Sequence, residues 1–138
     1  MCKESKLKFE LSTVMIVGGR DSDDVKELVQ WELNQINNDP LKEALMAFLV
    51  TPRLQKRTWD YSTTNEVRAC WIVADFRERD MGLAYSELGH GARGDHWGIV
   101  LLSANNFGRD DSWFVRLDDA FINSGFWHGP IPDDYEIP

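Results

Sequence analysis

The chain changes its hydrophobic period twice along its length. Residues 7–17 begin in alternation, with Leu7, Phe9 and Leu11 against Lys8, Glu10 and Ser12. They then run apolar from Val14 to Val17 before Gly18-Gly19, a pattern that predicts a strand. From residue 21 the period lengthens. Val25, Leu28, Val29, Leu33 and Ile36 share one side at helical spacing, and Trp31 lies off that stripe. Ser22 is the expected N-cap, with Asp23 and Asp24 at the positive end of the helix dipole. Asn37-Asn38 closes this helix, and Asp39-Pro40 opens a second one. Asp39 would be its cap, and Pro40 would stand where a missing N–H costs nothing. Leu41, Ala44, Leu45, Phe48 and Leu49 form the buried face, and Pro52 marks the stop.

Period two then takes over and predicts four strands, at about 54–62, 67–76, 82–88 and 97–103. The separators are short (Ser62 to Asn65, Arg77 to Met81 and the glycine-rich 89–95), so antiparallel hairpins are expected. The second strand is apolar on both sides, with Ala69, Trp71 and Val73 against Cys70, Ile72 and Ala74. It should be central and covered on both faces. The fourth strand reads the same way. Helices would cover one face, and the N-terminal segment, the tail or a second subunit the other. A last helix is expected over 112–124, capped by Ser112, with Trp113, Phe114, Leu117, Ala120 and Phe121 inward and Asp118 and Asp119 in water. Gly125 would end it. Phe126, Trp127 and Ile131 would strap an extended acidic tail, 126–138, onto the body. Together these elements predict an α+β domain: an antiparallel sheet of four to five strands packed against two to three helices, one domain over 1–138 with a frayed 1–6.

Composition sharpens this picture in three ways. A chain of 138 residues with 43% hydrophobic content can bury a core without a disulfide or metal staple. The formal charge of −8 repels phosphate backbones, which argues against nucleic acid. Cys2 and Cys70 form no disulfide framework, and no apolar run reaches membrane-spanning length, so a reducing cytoplasm is expected. The acidity is uneven. Asp110, Asp111, Asp118, Asp119, Asp133, Asp134 and Glu136 crowd the last third, whereas Arg53, Lys56, Arg57 and Arg68 make residues 53–68 lean basic. Such asymmetry suits either ordinary solubility or the steering of a basic partner.

From Leu49 to Ser124 the chain resembles a group of short bacterial proteins without an assigned activity, of the kind carried as mobile-element cargo such as integron cassettes. The resemblance rests on Leu49-Val50-x-Pro52-Arg53 and Arg57-x-Trp59-Asp60-Tyr61. It continues through Cys70-Trp71-x-Val73, Gly82-Leu83-Ala84-Tyr85-x-Glu87-x-Gly89-x-Gly91, Trp97-Gly98-Ile99 and Ser112-Trp113-Phe114 to Ala120-Phe121. This chain departs from that group at His90, where an aromatic is usual, and at Gly94-Asp95-His96, where the group is proline-rich. The resemblance therefore implies no shared catalytic role for His90 or His96.

Two sets of residues carry the candidate chemistry. Glu87, His90, Asp95 and His96 surround the glycine-rich turn. Two imidazoles and two carboxylates suit acid–base catalysis by Glu87, His90 and His96, or a divalent cation at His90, Asp95 and His96; they equally suit a solvated turn. Their spacing matches no established ligand motif. The second set is aromatic. Trp59, Tyr61, Trp71, Tyr85 and Trp97 each occupy one side of their strand, with Arg57 near the rim, and simple hairpin register would gather the rings on one face. That face is either core or a pocket for a small molecule or protein. Asp60 and Asp75 stand within strands and need partners, for which Arg57, Arg68 and Arg77 are available. Asp75 would share a side with Trp71 and Val73. Gly18-Gly19 lacks the residues of a phosphate loop, and neither Gly-x-Ser-x-Gly nor His-Glu-x-x-His occurs. The expected function is non-enzymatic binding or protein interaction through the aromatic face and the 89–96 loop. The alternative is a small enzyme using Glu87, His90 and His96. No motif implies a cofactor; a protein, a small molecule or a second copy of the chain are the open partners.

Overall fold

The doubly apolar stretch at 67–76 is the spine of the molecule. The computed structural model describes residues 16–17, 20–60, 66–91 and 93–131. In it, β1 is Ile16–Val17, β2 Leu49–Thr58, β3 Val67–Phe76, β4 Met81–His90, β5 Asp95–Leu101 and β6 Trp113–Phe114. The helices are α1 (Ser22–Asn34), α2 (Asp39–Met46) and α3 (Leu117–Asn123). β2 to β6 form a five-stranded antiparallel sheet in the order β2-β3-β4-β5-β6, and β1 pairs in parallel with Val67 and Arg68 of β3. The fold is α+β, as the patterning predicts. Residues 7–15, 61–62 and 132–138 of the predicted elements lie outside the described residues.

Bulges adjust the register at three places, and each has a chemical cause. Between Leu49 and Arg53, β2 carries extra residues around Pro52. Proline has no N–H for a ladder, so it is tolerated on an edge strand at a bulge. This is why β2 starts at Leu49 rather than at 54, and why Pro52 does not stop α2, which already ends at Met46. On β3, Ile72 faces Ala84 and Ala74 faces Leu83, so Val73 is the extra residue. Val73 and Ala74 then both join the helix-side core, and Phe76 follows them. Asp75 is thereby turned to the side opposite Ala74 and Phe76, where the Arg53 guanidinium holds it at 3.2 Å. Simple alternation puts Asp75 with Trp71; the bulge reverses it. On β4, Tyr85 faces Trp97 and His90 faces Asp95, which leaves three extra residues between them. Gly89 absorbs this distortion at φ +81°, with the Gly94 carbonyl so close that a Cβ would lie 2.2 Å from it.

The helix caps differ by one residue from expectation. Asp21 caps α1 in a reciprocal box with Asp24, and the Ser22 hydroxyl donates instead to the Pro52 carbonyl at 2.9 Å. Asn38 caps α2 by accepting from Leu41 N–H at 3.0 Å. The expected helix at 112–124 begins only at Leu117. Ser112 ends a 3-10 turn, and Trp113–Phe114 is a strand paired with β5. The reason is facial: Trp113 packs on one side of the sheet and Phe114 on the other, which suits a strand and not one helical stripe. Asp118 is buried rather than in water, where Arg116 holds it through a bidentate pair at 3.0 and 2.5 Å.

Three helices close one face of the sheet. Val25, Val29 and Leu33 of α1, Leu41 and Leu45 of α2, and Leu117, Ala120 and Phe121 of α3 pack over Trp71, Val73, Leu83, Tyr85 and Trp97. Phe126 stacks on Phe76 at 4.2 Å and Trp127 lies against Phe121 at 6.5 Å, so the strap holds at these two rings, whereas Ile131 is exposed. The second face is covered by the irregular segment 102–112. Phe107 and Trp113 sit there on Cys70, Ile72, Ala84 and Val100.

Candidate functional site

The expected row of rings exists, and its register is direct. Trp71 faces Tyr85, Tyr85 faces Trp97, and Trp97 faces Phe114. The row lies beneath the helices. Trp71, Tyr85 and Trp97 keep only 7%, 6% and 3% of their surface exposed, so they form a core wall and leave no open aromatic face. Trp59 leaves the row. It alternates in step with Gln55 and Arg57, whose register opposite Cys70 and Arg68 turns that side of β2 away from Trp71, and its ring packs with the opposite cluster under the Arg68 guanidinium, 3.6 Å from the ring centre. Tyr61 lies outside the described residues. Burial pushes the Tyr85 phenol up, against the pull of Arg20.

The polar set at the glycine-rich turn does not share a centre. His90 is 2% exposed; it stacks on Phe107 at 5.3 Å and meets Trp113 at a tilt, at 5.4 Å. Its Nε2 meets the Gly108 carbonyl at 3.0 Å and therefore carries the proton. His96 is exposed, lies against Tyr85 and donates from Nδ1 to the Ser86 carbonyl at 2.7 Å. Asp95 pairs with Arg93 at 3.3 Å, and Glu87 accepts from the Arg20 backbone N–H at 2.8 Å. Among the described residues no three His, Cys, Asp or Glu side chains converge as a cation would need. A cleft of about 290 Å³ beside the turn is lined by Asp95, Asp110 and Asp111 with Arg93 and Trp113.

The most developed polar arrangement is on the loop-covered face, at Arg57. Gln55 and Arg57 alternate with Leu54 and Lys56, which turns them toward the strand side that carries Cys70. Arg57 is 1% exposed. Its Nε and Nη2 both donate to Gln55 Oε1, at 3.0 and 2.5 Å. Nη2 also donates to the Leu101 carbonyl at 2.9 Å, and Nη1 to the Asn106 carbonyl at 2.7 Å. Neighbouring groups tie the same loop down: Asp60 accepts from Phe107 N–H at 2.7 Å, and Trp113 Nε1 donates to the Phe107 carbonyl at 3.0 Å. Between β5 and this loop lies an open cleft of about 210 Å³, bounded by Arg57, Val100, Ala104, Phe107, Arg109 and Ser112 among others.

No family model, curated protein or solved structure matches the chain. The site must therefore be argued from its own geometry. Cys70 lies close to Arg57 but is fully buried, and burial pushes its thiol up to about 12, which makes it a poor nucleophile. Among the described residues no helix is long and apolar enough to cross a membrane. Sequence reasoning named Arg57 but missed the loop that completes its surroundings. Asn106, Phe107 and Gly108 give no periodic signal, because their contribution is a backbone carbonyl, a covering ring and a turn.

Proposed function

We propose that the domain is a non-enzymatic binding protein whose working surface is the cleft on the loop-covered face. The observation that carries this reading is a buried guanidinium beside an open cleft with apolar walls, Val100 and Phe107, and a polar rim, Arg109 and Ser112. The aromatic row supports the fold that holds this cleft rather than forming the contact surface. Acid–base or metal chemistry at Glu87, His90 and His96 has less support, because each of the three is engaged by a different partner. A protein-observed NMR screen of small fragments tests the reading. Shifted amides should cluster at 100–109. Hits confined to other surfaces would overturn it.

A further inference from the structure

We infer that the cleft takes a small organic monocarboxylate with an apolar body; this rests on the proposed binding role of the same cleft. The argument starts from the charge of Arg57. Its four hydrogen bonds end on a side-chain amide oxygen and two backbone carbonyls, all neutral. A guanidinium has five N–H donors, so one hydrogen on Nη1 has no acceptor among the described residues. Among the described residues no carboxylate forms an ion pair with Arg57: Asp60 accepts from the Phe107 N–H at 2.7 Å, and Asp111 pairs with Arg109 at 3.0 Å. A cation withdrawn from water and hydrogen-bonded only to neutral groups gains from an anion, and Arg is the side chain best matched to a carboxylate.

The remaining features narrow the anion. Dianions such as phosphate meet one buried Arg, a rim Arg109 already paired with Asp111, and a chain of net charge −8. A monoanion fits that balance better. Val100, Ala104 and Phe107 supply an apolar wall for the rest of the molecule. The volume of about 210 Å³ equals roughly seven waters of liquid, which limits the ligand to about the size of one substituted ring or a short chain.

Arg57 also clamps the loop, so removing it would confound binding with folding. The test therefore varies the ligand on the intact chain. Benzoate, its neutral isostere benzamide, and inorganic phosphate are titrated separately and followed by NMR and calorimetry. Benzoate should saturate with shifts at 100–109, benzamide should bind at least tenfold more weakly, and phosphate should not saturate. An Ala104→Leu variant, which narrows the cleft and leaves the Arg57 side chain in place, should lose benzoate. Equal binding of benzoate and benzamide would overturn the carboxylate assignment and leave the cleft reading standing. So would neutral fragments occupying the cleft while benzoate does not. Phosphate binding tighter than benzoate would overturn the monoanion, and benzoate binding undiminished in Ala104→Leu would overturn the location.

Discussion

On one face of the sheet, three helices lay Val25, Leu45 and Phe121 over Trp71, Tyr85 and Trp97; on the other, an irregular loop lays Phe107 over Cys70 and Ile72. The two coverings solve different problems. A helix satisfies its own backbone, so its contact face can be wholly apolar. A loop does not, and every carbonyl or N–H it brings near the core needs a partner. Here the partners are side chains: Arg57 holds the Leu101 and Asn106 carbonyls, His90 the Gly108 carbonyl, Trp113 the Phe107 carbonyl and Asp60 the Phe107 N–H. Polar groups are drawn into the second face for this reason, and an irregular cover leaves a cleft where a helix would leave none. The helix face carries the larger apolar cluster, and the loop face carries the candidate site.

The most forceful way to break this comparison is to remove a ring from the helix side. Phe121→Ala should cost about 3–5 kcal/mol, with global loss of stability in urea, because the site is fully enclosed. A cost below about 1 kcal/mol would mean that the helices add little. Gly98→Ala strikes the loop side, since its Cβ would lie 2.3 Å from the Trp113 indole. We expect about 1–3 kcal/mol, together with altered Trp near-ultraviolet dichroism and faster amide exchange at 102–112 than at α1. Uniform acceleration across both faces would show the two coverings to be one cooperative unit.

The smallest effect tests electrostatics on the helix side. Glu32 accepts from Leu117 N–H at 2.9 Å and so caps α3. Its carboxyl is held above the usual value, chiefly by burial, against the pull of that N–H. The folded state then binds the proton more tightly than the unfolded one. The favourable contribution is present below the unfolded value of about 4.5 and is lost as pH rises through the folded value. Glu32→Gln keeps an oxygen for Leu117 N–H and removes the titration. Relative to the parent, it should be more stable at pH 7 than at pH 4 by urea denaturation. An unchanged difference would discount the burial.

β4 and β5 are legible in period-two apolar residues and β3 in its apolar run on both sides, although β5 spans Asp95–Leu101 rather than 97–103; both helical stripes are legible because Val25 to Ile36 and Leu41 to Leu45 recur near 3.6. The last helix was misread at its start, since Trp113 and Phe114 begin an apolar run that fits either period until their opposite faces are known. Asp75 was misplaced because a bulge at Val73 leaves no mark in the residues themselves. The aromatic row was legible as a row. Whether it was core or surface was not, since that depends on where the helices dock.

By itself, then, the sequence determined the class of fold, the central position of β3 and the direct alignment of Trp71, Tyr85 and Trp97, because these follow from local periodicity and short hairpin links. Tertiary structure alone decided which face the helices took, that segment 102–112 closed the other, and that Arg57 came to rest beside a cleft. Those outcomes depend on backbone groups up to 85 residues away from the side chains that satisfy them, and a backbone N–H or carbonyl is the same group in every residue.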